Sequence, residues 1–146
     1  MTVAVGETLT LADVAAVAAG AEVTFPSAAR ERVAAARSVV EDAVASGGVV
    51  YGVTTGFGAL ANVRIDPSKA SDLQHGIVRS HATAVGRPLS GSEARAMLLL
   101  RAHVLALGHS GVRPELIDLM TSMLNADVIP VVPEQGSLGA SGDLAP

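Results

Sequence analysis

Gly136-Ser137-Leu138-Gly139-Ala140-Ser141-Gly142-Asp143-Leu144-Ala145-Pro146 closes the sequence, and the reading of this run decides how everything before it is understood. The wider segment from Ile129 holds three prolines and three glycines, which excludes one continuous helix. Glycine lacks the Cβ that forbids most sharply bent backbone, so residues 136, 139 and 142 permit a tight bend. A bare Ala-Ser-Gly triplet carries little information, because small residues collect in turns everywhere. The full run is far more specific.

Upstream, the pattern is helical with short extended pieces. Thr10 and Asp13 form a capping box that opens a short helix through Ala19, stopped at Gly20. Residues 21–25 alternate like a strand. Pro26-Ser27 starts a helix with Val33, Ala36, Val40 and Val44 on one face, ending at Gly47-Gly48. Val49-Val50-Tyr51 reads as extended, and Thr54 to Gly58 as a glycine-bounded loop. Asp66-Pro67-Ser68 opens a helix that turns Leu73, Ile77 and Val78 inward and runs to Val85, before Gly86. Ser90 and Glu93 make a second capping box. Met97, Leu98, Leu100, Val104 and Leu107 then carry a helix that is apolar nearly all round to Gly108, which predicts burial on most sides by this domain or by a partner chain. Arg113-Pro114 opens a last helix, with proline at its first position and Asn125 near its end.

Composition narrows the class. The chain has 146 residues, enough for one ordinary domain with a real core. Hydrophobic residues make up 49%, yet there are one Tyr, two Phe and no Trp, so the core is built from Ala, Val and Leu. Small aliphatic side chains favour closely packed helices. A net charge of −4 offers no basic stripe for nucleic acid. With no cysteine there are neither disulfides nor thiolate chemistry. The most apolar stretch, Ala96 to Leu107, is broken by Arg101 and His103 and reads as a core helix, not a membrane span. The start lacks the basic and apolar run of a signal peptide, so a cytoplasmic protein is expected.

The closing run resembles the signature of the aromatic amino acid ammonia-lyases that carry a 4-methylideneimidazol-5-one group, made autocatalytically from an internal Ala-Ser-Gly. The residue types suit that chemistry. Ring closure joins the Gly142 amide nitrogen to the Ala140 carbonyl carbon across Ser141, with loss of water. A second water leaves from Ser141 and exposes a methylene electrophile that no ordinary side chain provides. Asp143 either supports that cyclisation or caps a following helix; the residues leave both open.

Two further stretches carry the resemblance. Tyr51-Gly52-Val53-Thr54-Thr55-Gly56-Phe57-Gly58 is similar to the family's loop whose tyrosine acts as catalytic base, with Thr54 where Asn or Ser is frequent. Without this context a lone tyrosine reads better as an amphipathic core residue. Because phenols titrate at about pH 10, such a base needs positive charge or strong donors nearby. Leu73-Gln74-His75-Gly76-Ile77-Val78-Arg79-Ser80-His81-Ala82 is similar to the family's Ser-His-Ala helix, with Gly76 where Asn is common. In histidine-specific members the histidine of that pair contacts the substrate imidazole.

The resemblance, from Gly6 to Pro146, therefore implies a mainly α fold. Short strands and helices form an N-terminal, prosthetic-group-bearing domain (residues 1–146) that leads into a truncated helical bundle of the fumarase/aspartase-like type. It implies elimination of ammonia from L-histidine to give urocanate, with catalytic residues Tyr51, Ala140, Ser141 and Gly142. Ser80, His81 and Gly58 would bind substrate, and no external cofactor or metal would be needed. Partners would be the amino acid, the C-terminal remainder of the enzyme and, in the full-length protein, a homotetramer. Members are several times longer, and their remainder supplies the groups that hold the substrate carboxylate and amine. This chain alone is accordingly expected to be inactive. A phenylalanine or tyrosine ammonia-lyase, an aminomutase and a catalytically incompetent fragment remain the competing readings. His75, His103 and His109 read as ordinary bonded or partly buried histidines, and no HExxH or paired cysteine suggests a metal. Gly56-Phe57-Gly58 is not a phosphate loop, since no Lys follows and no βαβ context surrounds it.

Overall fold

The computed structural model describes residues 1–56, 58, 61, 63, 65–66, 69–139 and 142–146, with the backbone alone at 70, 71, 138, 139, 142 and 143. In order, the chain forms β1 (Thr2–Ala4), α1 (Leu11–Ala18), β2 (Glu22–Thr24), α2 (Ser27–Ala45) and α3 (Ala70–His81). There follow β3 (Val85–Pro88), α4 (Gly91–Ala106), α5 (Pro114–Asn125), β4 (Pro133–Gln135), β5 (Leu138–Gly139) and β6 (Gly142–Asp143). These elements fall into two compact units: residues 1–39 with 89–132, and residues 40–88 with 133–146.

The first unit is a helical cluster on a short parallel pair. β1 and β2 align Thr2 with Glu22, Val3 with Val23 and Ala4 with Thr24. Parallel strands need a crossover, and α1 supplies it. Both capping boxes form as the sequence predicts: Thr10 with Asp13 opens α1, and Ser90 with Glu93 opens α4. In each, the hydroxyl accepts an otherwise orphaned N–H while the carboxylate reaches back to the cap's own N–H. α5 begins at Pro114, where a missing N–H costs nothing.

The core of this unit packs Val3, Val5, Val17, Val23 and Val33 against Leu99, Leu105, Ile117, Met120 and Leu124. Its small side chains let backbones approach closely. Gly6, at φ +80°, sits where a Cβ would come within 2.6 Å of the Ala106 carbonyl oxygen and 2.8 Å of Ala29 Cβ. Gly108, at φ +82°, meets the Arg32 backbone in the same way.

Two polar side chains bind this unit together. Arg95 is buried on α4, yet its Nε donates to the Val17 carbonyl at 2.9 Å. Its Nη1 donates to the Leu124 carbonyl at 3.1 Å and to Asp127 at 2.7 Å. The C-terminal ends of α1 and α5 present carbonyls with spare acceptor capacity at the negative ends of the helix dipoles, and a guanidinium answers both. Asn125 closes a two-way bond on Val23 of β2: Nδ2 donates to the Val23 carbonyl and Oδ1 accepts the Val23 N–H, each at 2.8 Å. That side chain substitutes for a neighbouring strand. At the surface, Arg30 chelates Asp118 and lies 4.8 Å from the centre of the Phe25 ring.

Two helical expectations change, for α2 and α3, and α4 is buried by this domain on one side. Only Ala29 and Val33 of α2 are buried, and Val44 is exposed, so the predicted inward face holds for the first turns alone. α4 buries Ala94, Arg95, Leu99, Ala102, Leu105 and Ala106 but leaves Met97, Leu100, Val104 and Leu107 exposed. Burial is therefore one-sided within the described residues. α3 runs from Ala70 to His81 rather than from Asp66 to Val85, and Pro67 and Ser68 lie outside the described residues. Residues 82–84 leave the helix without regular structure, and Val85 opens β3, which pairs antiparallel with β4, Val85 opposite Gln135 and Pro88 opposite Pro133. Gly86, at φ +93°, allows the chain to pass against Glu134 and Gln135, and Arg87 bridges to Glu134 at 3.2 Å.

No helix among the described residues is long and apolar enough to cross a membrane.

Candidate functional site

The three motif segments all belong to the second unit, although residues 51–58, 73–82 and 138–143 are far apart in sequence. Each has its own local architecture.

Tyr51 does not continue an extended strand; it begins a turn, with Val53 N–H and Thr54 N–H both donating to the Val50 carbonyl. Gly52 at φ +72° makes that turn possible. Two threonines lock it. The Thr54 hydroxyl accepts the Val50 N–H at 2.8 Å and donates to the Gly48 carbonyl at 2.7 Å. The buried Thr55 hydroxyl accepts the Gly52 N–H at 3.2 Å and donates to the Gly56 carbonyl at 3.1 Å. Further along, Gly56 N–H bonds the Val63 carbonyl and Ile65 N–H bonds the Thr54 carbonyl. The result is a tyrosine that is 63% exposed and carried on a braced turn. Its phenol oxygen accepts the Gly58 N–H at 3.4 Å, so two expected site residues meet directly. The resemblance marks Thr54 only as standing where Asn or Ser is frequent. Its bracing role rests on hydrogen bonds that the sequence alone does not display.

Ser80 and His81 lie exposed at the C-terminal end of α3. The Ser80 hydroxyl donates to the Ile77 carbonyl at 2.9 Å, and His81 Nδ1 lies 2.9 Å from both that carbonyl and Ser80 Oγ. The pair is thus a small hydrogen-bonded cluster built on the last turn of the helix. His75, on the same helix, is exposed, whereas His103 in the other unit accepts the Gly6 N–H at Nδ1, 3.3 Å away.

At the closing run, β5 and β6 pair antiparallel, Leu138 opposite Asp143 and Gly139 opposite Gly142. Ala140 and Ser141 lie outside the described residues, as does the side chain of Asp143. The backbone register alone places the two glycines face to face, with the first two triplet residues between them. Glycine on both sides of this ladder keeps the described backbone free of Cβ groups, which suits the close bend that condensation of the Gly142 nitrogen onto residue 140 needs. Asp143 sits in β6.

Among the described residues, no group of His, Asp or Glu could hold a metal ion. A cleft of about 380 Å³ in the first unit, between Gly20, Glu22, Arg95 and Asn125, contains none of the motif residues.

Comparison with known proteins shows the family. The aromatic amino acid lyase family profile matches residues 9–146. A histidine ammonia-lyase from Deinococcus radiodurans is 55% identical over 87% of this chain and 24% of its own length. One from Anaeromyxobacter sp. (strain K) is 54% identical over 97% of this chain and 28% of its own. Among solved structures, tyrosine aminomutase from Streptomyces globisporus superposes with a TM-score of 0.92 at 40% identity, covering all of this chain and 28% of that one. Histidine ammonia-lyase from Trypanosoma cruzi gives 0.88 at 38% identity, over 99% and 28% respectively. The chain therefore spans about a quarter of the length of the relatives it matches.

Proposed function

The chain belongs to the aromatic amino acid lyase family, and we propose that it is the N-terminal, prosthetic-group-bearing part of an enzyme that eliminates ammonia from L-histidine to give urocanate. The observation that carries this reading is the gathering of three motifs into one compact unit: the Tyr51–Gly58 turn, the Ser80–His81 cluster and the Gly139–Gly142 closure. Chains named histidine ammonia-lyase at 54–55% identity support the choice of substrate.

In this reading Ala140, Ser141 and Gly142 provide the methylideneimidazolone, which supplies an electrophilic carbon for the substrate amine. Tyr51 removes the proton from the β-carbon. Its exposed phenol, on a turn braced by Thr54 and Thr55, is placed to meet a ligand without being held in a core. The Gly58 N–H donates to the phenol oxygen and so helps orient the hydroxyl on that turn. His81 orients the imidazole of the substrate. Asp143, one residue beyond the triplet, supports ring formation. No external cofactor is called for.

Full activity is assigned to a polypeptide of the relatives' length, which supplies the remaining substrate contacts; these 146 residues alone are inactive on this reading. A cytoplasmic homotetramer belongs to the same proposal, and the exposed apolar row Met97, Leu100, Val104 and Leu107 supports burial by further protein. The likeness to a tyrosine aminomutase favours a second reading, in which the substrate is tyrosine. Absorbance assays for urocanate against coumarate separate the two. In a polypeptide of the relatives' length, replacing Ser141 with Ala abolishes urocanate production while far-UV circular dichroism stays unchanged; retained activity would refute the mechanism.

A further inference from the structure

Three atoms at the end of α3 form a triangle with sides of 2.9 Å: the Ile77 carbonyl oxygen, Ser80 Oγ and His81 Nδ1. One corner settles the other two. A carbonyl oxygen can only accept, so each neighbour at hydrogen-bond distance must bring a hydrogen to it. The Ser80 hydroxyl carries a single hydrogen, which goes to Ile77. His81 Nδ1 must then also be protonated, sharing its N–H between the Ile77 carbonyl and the lone pairs of Ser80 Oγ. The alternative puts a bare Nδ1 lone pair against a carbonyl lone pair at 2.9 Å, and the Ser80 hydrogen would have to abandon Ile77 to relieve it. That arrangement is repulsive.

The geometry assigns His81 the Nδ1–H tautomer, held by the Ile77 carbonyl and by Ser80, so that Nε2 presents a lone pair as a hydrogen-bond acceptor. Which ring nitrogen carries the proton is set by the bond the other one makes. The consequence for recognition rests on the function proposed above: this site takes a side chain that brings a hydrogen-bond donor, as the N–H of an imidazole does and a plain phenyl ring does not. A site built to hydrogen-bond a polar substrate group discriminates strongly against an analogue lacking it. Ser80 is then a positioning residue. Its own hydrogen is committed to the helix, and it acts through the histidine ring.

Long-range ¹H–¹⁵N correlation spectra of this chain, recorded where His81 is neutral and assigned by comparison with His81→Gln, read the tautomer directly. The expected pattern is a protonated, pyrrole-type Nδ1 and an unprotonated, pyridine-type Nε2. Ser80→Ala removes one of the two acceptors facing Nδ1–H and shifts the ring toward a mixture of tautomers, whereas Ser80→Thr keeps the wild-type pattern. Backbone amide spectra show whether α3 itself survives each change. A wild-type ring with its proton on Nε2 overturns the assignment, and Ser80→Ala spectra identical to wild type overturn the role of Ser80. Neither result alters the mass of the 140–142 triplet, so this inference and the proposed function fail separately.

Discussion

Replacing Arg95 with methionine tests how the first unit is held together. The side chain is 8% exposed and ties α4 to the ends of two other helices, through the Val17 carbonyl at 2.9 Å and the Leu124 carbonyl at 3.1 Å. Bonds from a charged donor contribute about 1.5–3 kcal/mol each. The Asp127 partner is 84% exposed, so that ion pair adds at most about 1 kcal/mol. Against this stands the desolvation of a buried guanidinium, which methionine relieves. The two carbonyls also keep other donors, Gly20 N–H on Val17 and Asp127 N–H on Leu124, so neither is orphaned. The net loss is about 2 kcal/mol, smaller than the gross bond energies. At this chain length that lowers Tm by roughly 4–8 °C. Urea unfolding followed by circular dichroism gives the number. Arg95→Lys should lose less, about 1 kcal/mol, because a single ammonium cannot serve carbonyls on two helices as the planar fork does. In a double-mutant cycle, Asp127→Ala should couple to Arg95→Met by under about 1 kcal/mol. A methionine variant as stable as wild type would refute the claim that Arg95 holds the helix ends.

Other expectations follow from the same contacts. Asn125→Leu strips both bonds from Val23 and leaves a strand N–H and carbonyl without partners, costing about 2–4 kcal/mol by urea titration. Gly6→Ala combines positive φ with a Cβ 2.6 Å from the Ala106 oxygen, so it should cost at least about 2 kcal/mol in the same assay. Hydrogen bonds from Thr10 hold the Asp13 carboxyl below its ordinary range, and those from Ser90 do the same for Glu93. A depressed folded-state pKa contributes stability that is complete above the unfolded value and fades as pH falls through the folded one. Acid titration of Tm should therefore fall less steeply in Glu93→Gln than in wild type; identical acid limbs would contradict the cap. In a polypeptide of the relatives' length, Tyr51→Phe should cut kcat by about 10²–10⁴-fold while the triplet is still processed.

What the sequence displays is chiefly what lies close along the chain. Both capping boxes, the Pro114 start of α5 and the strand at residues 22–24 were legible because each signal spans only a few residues. The strand at Val85–Pro88 was not, because its partner Pro133–Gln135 is distant in sequence. The bonding roles of Arg95 and Asn125 were invisible for the same reason: their partners Val17 and Val23 lie 78 and 102 positions away. At the proposed site, motif resemblance pointed to Tyr51, Gly58, Ser80 and His81. Hydrogen-bond geometry was needed to show that Thr54 and Thr55 brace the tyrosine and that Ser80 faces the histidine ring.

The most direct test of the account is the mass of the proteolytic peptide spanning Ala140-Ser141-Gly142, taken from a polypeptide of the relatives' length that produces urocanate. The account predicts a peptide lighter than its sequence by two waters, one from ring closure and one from Ser141. An active enzyme whose peptide keeps the full unmodified mass would contradict it.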